Sequence, residues 1–90
     1  MTLEQLRRKM VEAIKAGDKD AQAVIFSLIQ AIRTTGAAPD AAIRRLHSEA
    51  QEQLLLCPAG REDLKQALIT RREILDTLLR EAAEERKEEI

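Results

Sequence analysis

Ninety residues make one domain at most, and a chain this short buries only about 60 to 65% of the surface its unfolded form exposes, which leaves a thin stability margin. Charged residues are 34% of the chain but nearly cancel, to −1, which excludes a bulk basic field for nucleic acid or an anionic membrane. The single cysteine, Cys57, excludes an intrachain disulfide and a multi-cysteine metal centre, and a reducing cytoplasm suits it best.

Along the chain, Thr2 followed three residues later by Gln5 spells a capping box, and Leu3, Leu6, Met10, Ala13 and Ile14 then recur at helical spacing. Gly17 supplies the stop, since glycine enters the left-handed conformation past a helix end without steric cost. Asp18 caps a second helix at once, with Asp20 near its positive end and Ala21, Val24, Ile25, Leu28, Ile29 and Ile32 as a wide apolar stripe. So short a joint predicts an antiparallel hairpin. Phe26, the only aromatic residue, is flanked by that stripe and is expected to be buried.

Gly36 and Pro39 end the second helix and open a third, which is expected to run to about Leu56 on a narrower stripe of Ile43, Leu46, Ala50 and Leu54. Ala41 and Ala42 beside it permit close backbone approach. Cys57-Pro58-Ala59-Gly60 breaks the chain again, and Glu62 and Asp63 suit the start of a fourth helix of some 25 residues, carrying Leu64, Leu68, Leu75, Leu78, Leu79 and Ala82. From Glu81 onward the like-charge pairs Glu81/Glu85, Glu84/Glu88 and Glu85/Glu89 place acid at the negative helix end, so residues 81–90 read as a fraying acidic tail. The expectation is an all-α fold, a compact four-helix bundle of two consecutive hairpins over residues 1–80. Charged residues break up the N-terminus and every apolar run is far below about 18 residues, so a chain neither exported nor membrane-spanning is expected.

Chemistry is sparse. Hydrolytic catalysis needs a nucleophile, a base and an orienting group to converge, and the chain offers one histidine and one cysteine. His47 and Cys57 lie roughly 15 Å apart along the third helix at 1.5 Å per residue, too far to form a dyad within it. His47 reads as a half-exposed helix residue and Cys57 as a small apolar plug beside Pro58. Gly17, Gly36 and Gly60 stand singly, so no phosphate-cradling loop is spelled, and no Glu-x-x-His occurs, so neither metal nor cofactor is expected. No enzyme activity is expected.

The basic groups Arg7-Arg8-Lys9, Arg44-Arg45 and Arg71-Arg72 admit two readings. Lysines and arginines off the core stripe are ordinarily solvated, but three clusters converging on a groove would hold RNA phosphates. Residues 1–50 hold 8 Lys or Arg against 6 acids, and residues 51–90 hold 7 against 10, so a polyanion would prefer the first half. Leu54-Leu55-Leu56 is broader than an ordinary stripe needs. It either covers the end of a small core or docks a partner domain or a second copy.

Four segments together resemble the YqeY family, whose members are related to the tail domain of the GatB subunit of glutamine-dependent tRNA amidotransferase. They are Met10 to Lys19 with its Ala-Ile-Lys-Ala-Gly-Asp-Lys run, Leu28-Ile29-Gln30-Ala31-Ile32, Ala59-Gly60-Arg61-Glu62-Asp63-Leu64, and Glu73-Ile74-Leu75 leading to Leu78 and Leu79, in family order over roughly residues 3–80. The similarity covers the N-terminal helical half of that family. Two departures stand out: Phe26 and Ser27 lie where the family tends to carry an arginine, and Glu49 to Gln53 lie where it has a basic run. The resemblance implies a non-catalytic accessory module whose partner is tRNA or an amidotransferase subunit, with Lys15, Lys19, Arg61 and the pairs Arg7/Arg8, Arg44/Arg45 and Arg71/Arg72 as candidate tRNA contacts. The alternative is a protein-interaction or homodimerisation module without a nucleic-acid role, binding through Leu54, Leu55, Leu56 and the fourth helix.

Overall fold

The computed structural model describes residues 1–88, with side chains described through residue 85. Its described residues form four helices and no strand: α1 (Leu3–Ala16), α2 (Lys19–Thr35), α3 (Pro39–Leu55) and α4 (Glu62–Glu88). Each boundary has a local cause. Thr2 Oγ1 accepts from the Gln5 backbone N–H at 3.2 Å, and the Gln5 side chain accepts from the Thr2 N–H at 2.8 Å, closing the capping box. Gly17 sits at φ 70°, its N–H donating to the Ile14 carbonyl while the Asp18 N–H donates to that of Ala13. This pairing satisfies carbonyls that the helix end would otherwise orphan. Asp18 Oδ1 then accepts from the Ala21 N–H at 3.1 Å, so one residue after leaving α1 the chain is already capped into α2. Pro39 opens α3 at the position where its missing N–H costs nothing.

The joints set the topology. α1 packs chiefly on α2 and α3 chiefly on α4, giving two hairpins, and α2 is the element that also touches both α3 and α4. The Gln22 side-chain amide donates to the Ala13 carbonyl at 3.3 Å and pins the register of the first hairpin. At the centre, each helix contributes one large side chain that is fully buried: Leu6, Leu28, Ile43 and Leu75. Ala13, Ala42 and Ala50 surround them and let the helices approach closely, while Val24, Ile25 and Leu78 complete the cluster.

Several expected core positions lie elsewhere. Phe26 is 54% exposed, because at 100° per residue it stands roughly 150° around α2 from the centre of the Val24, Ile25 and Leu28 stripe. Adjacency in sequence is not adjacency on a helix face. Ile14 is exposed for a similar reason, since α1 presents only Leu6 and Ala13 fully to the core and Ile14 is about 90° off their line. Leu64, in the first turn of α4, lies at the edge of the bundle and is also exposed. Of the two small residues offered for close approach, Ala42 is buried and Ala41 faces solvent.

The acidic end of α4 is helical as far as Glu88. Two of its carboxylates meet cations from other elements: Glu81 pairs with Lys9 of α1, and Glu85 lies 2.9 Å from the Met1 ammonium. The repulsive pairs that involve Glu88 and Glu89 lie outside the described side chains. No helix is long and apolar enough to cross a membrane among the described residues.

Candidate interaction surface

The nine basic residues singled out from the sequence spread over all four helices and the α3–α4 corner. Three are held by acids on their own segment, with Arg8 to Glu4, Arg45 to Glu49 and Arg61 to Asp63 each at 3.3 Å. The Arg61 guanidinium, followed by the Leu64 backbone N–H, holds the Asp63 carboxyl below its usual range. Arg7, Lys15, Lys19, Arg44, Arg71 and Arg72 have no ion pair among the described residues. Of five depressions on the described surface, none holds more than one of the nine. Arg8 lines one whose other walls include Glu12, Glu81, Glu84 and Glu85, and those acids offset its attraction for phosphate. Arg71 lines a cleft of mixed character between α2, α3 and α4, where Ser27, Glu49 and Gln53 stand with Val24, Leu46, Ala50 and Leu75.

His47 and Cys57 serve the packing of the second hairpin. His47 Nε2 lies 2.6 Å from Asp76 Oδ1 of α4, an attraction that becomes an ion pair when the imidazole carries its second proton. The Cys57 thiol is half-buried and donates weakly to the Pro58 and Arg61 carbonyls at 3.8 Å, tying the α3–α4 turn together. Among the described residues no group of three or more His, Cys, Asp or Glu side chains is placed to hold a metal ion.

The apolar surface is better organised than the basic one. α3 ends at Leu55 because Pro58 cannot continue a helix and disfavours helical backbone at Cys57 before it. Three consecutive leucines at this end sweep 200° of arc at 100° each, wider than the single face the bundle offers. Leu54 is therefore the one that turns inward. Leu55 is 79% and Leu56 81% exposed. Leu56 forms the lip of a depression of about 360 Å³ with Cys57, Pro58, Leu64 and Leu68. Gln53, Leu64 and Leu68 are shared with a neighbouring depression of about 300 Å³ that runs toward Val24 and Arg71, so the two form one groove along the α3–α4 corner.

A second apolar exposure went unread in the sequence. Val11 and Ile14, one turn apart on α1, and Phe26 on α2 are all about half exposed. The Gln22 to Ala13 hydrogen bond sets the hairpin register so that Phe26 sits near the height of Met10, within a turn of the α1 pair. The helical angle of Phe26 was the available signal. The Met1 ammonium was also missed, and no sequence pattern announces its contacts with Asp40 at 3.0 Å and Glu85.

In comparisons with known proteins, no family model, no curated protein and no solved structure matches this chain.

Proposed function

We propose that this chain is a non-catalytic helical module that acts by docking another protein surface at the α3–α4 corner. The observation that carries it is the pair Leu55 and Leu56, both about 80% exposed, with Leu56 on the lip of an apolar groove. Leaving two adjacent leucines in water forgoes roughly 1.5 to 3 kcal/mol of burial each, a cost that a bound partner removes. The test compares the intact chain with a Leu55→Lys, Leu56→Lys double variant as bait in a native-host extract. Because both side chains are exposed, the variant keeps its helix content, and proteins captured by the intact chain are expected to be missing from the variant's eluate. Equal capture by both would remove the corner from consideration.

A second reading is favoured by the six of the nine candidate basic side chains that have no ion pair among the described residues. It follows the YqeY-like resemblance to a tRNA-linked accessory role, with Arg7, Lys15, Lys19, Arg44, Arg71 and Arg72 as phosphate contacts. Without a shared groove such contacts bind only diffusely, and binding of this kind weakens steeply with salt. A gel shift with bulk tRNA is expected in the low micromolar range at about 50 mM salt and lost by about 200 mM. Absence of a shift at the lower salt removes this reading.

A further inference from the structure

We propose that the outer face of the α1–α2 hairpin docks on an anionic phospholipid bilayer, with Val11, Ile14 and Phe26 entering the headgroup layer and the cations around them meeting lipid phosphates. This goes beyond the interaction reading above and uses a different side of the molecule. The three apolar side chains are 49%, 56% and 54% exposed and lie within about a turn of one another across the hairpin. Cations flank them on both helices. Arg7 and Lys15 stand four residues before and after Val11, one turn to either side on α1. Lys19 and Arg33 stand seven residues before and after Phe26, two turns to either side on α2 and within about 20° of its line. All four are exposed, and none has an ion pair among the described residues.

The chain's overall charge of −1 conceals this division by face. Two acids of the hairpin are already engaged: Glu4 is held by Arg8 at 3.3 Å, and Asp18 accepts the Ala21 N–H as the cap of α2. The other two look elsewhere. Glu12 lines the depression walled by Glu81, Glu84 and Glu85, and Asp20 lines one shared with Leu64 and Leu68 of α4. A helix is about 10 to 12 Å across and salt screens charges beyond about 8 to 10 Å, so acids on its far flanks do little to cancel the pull of the cations.

Shape separates a bilayer from other polyanions. None of these apolar residues or the four cations lines any of the five depressions, so the face offers projections without a groove. A partner helix needs a groove to receive its apolar side. RNA would stack on Phe26 and meet the cations but leave Val11 and Ile14 in water. A fluid bilayer yields around projecting side chains and supplies hydrocarbon and phosphate together, and each cation brought near an anionic surface strengthens binding roughly fivefold.

In flotation assays the intact chain is expected to rise with phosphatidylcholine vesicles carrying about 30% phosphatidylserine at about 100 mM salt, to stay behind with phosphatidylcholine alone, and to be released at about 500 mM salt. The Arg7→Glu, Lys15→Glu variant should bind on the order of a hundredfold more weakly and Phe26→Ser about tenfold, both with unchanged helix content because these side chains are exposed. The chain has no tryptophan, so Phe26→Trp places a single reporter at the centre of the face, and its emission is expected to shift to the blue when anionic vesicles are added. Absence of binding to anionic vesicles overturns the proposal, as does full retention of binding in either weakened variant or a tryptophan emission that vesicles leave unchanged. Binding of tRNA in place of vesicles, lost in the Arg7→Glu, Lys15→Glu variant, would reassign the face to nucleic acid and overturn it as well. The Leu55→Lys, Leu56→Lys variant is expected to keep its vesicle binding; loss there would move the membrane contact to the α3–α4 corner and overturn the assignment of this face.

Discussion

Replacing Leu75 by alanine is expected to lower the melting temperature by roughly 10 to 25 °C, whereas Phe26→Ala, which removes a larger side chain, shifts it by only a few degrees. The asymmetry follows from where each residue sits. Leu75 is fully buried against α2 and α3 and is the only side chain of α4 in the central quartet with Leu6, Leu28 and Ile43. Removing its isopropyl group forfeits transfer free energy and opens a cavity, costing about 2 to 5 kcal/mol in a close-packed core. A domain of this size has only about 5 to 13 kcal/mol in total, and each kcal/mol is worth about 4 to 8 °C. The small residues Ala42 and Ala50 in the same cluster have no side-chain length with which to fill the gap. Phe26 has half its surface in water and lies outside the buried cluster, so its loss removes little burial. Far-UV circular dichroism melts of the two variants at dilute concentration settle the matter. If Phe26→Ala were the more damaging, the four helices would not share the interior described above.

What could be read from the sequence was what is decided within a few residues. Thr2 and Gln5, and Gly17 and Asp18, fix helix ends through contacts three to five residues away, Pro39 opens α3 by its own backbone chemistry, and those ends stand where the pattern put them. The number of helices and their pairing into two hairpins follow from these local stops. The inward row was legible only where a helix is buried along one clear line, as for Val24, Ile25 and Leu28. Phe26 and Ile14 were misplaced because a run of apolar residues covers more arc than the neighbouring helices cover, and the neighbours' positions are not local information. The leucine triplet has the same geometry, and there the surplus width was noticed. Cross-helix pairs are invisible for a further reason. Along α4, Glu81 and Glu85 look like mutual repulsion, but the fold brings Lys9 and the Met1 ammonium to them from α1 and the N-terminus, and attraction to a cation at hydrogen-bonding distance outweighs a few tenths of a kcal/mol of like-charge cost.

Acetylation of the Met1 amine is expected to lower the melting temperature by about 5 to 10 °C at pH 7 and to flatten the decline in stability that the free amine shows above pH 8. The ammonium joins three elements at once, 3.0 Å from Asp40 Oδ1 in the first turn of α3 and 2.9 Å from Glu85 Oε2 near the end of α4, while it leads α1. The Met1 side chain itself is 1% exposed. Burial by itself would push the amine's pKa down, but hydrogen bonds from the ammonium to Glu85 and Asp40, together with the two negative charges, overcome this and raise it above the ordinary 8.0. A group whose pKa is higher in the folded chain than in the unfolded one stabilises the fold fully below the unfolded value. That contribution disappears as pH rises through the folded value, so the window opens near pH 8 and extends above it. Both carboxylates are partly in contact with water, so screening limits the contribution to about 1 to 2 kcal/mol. Thermal melts of free and acetylated chains from pH 6.5 to pH 9.5, taken as a difference, remove the titrations the two share. A difference that stays constant across this range would mean that the amine holds no special place in the bundle, whereas one that shrinks with rising pH identifies the clamp that fastens α1 to the start of α3 and the end of α4.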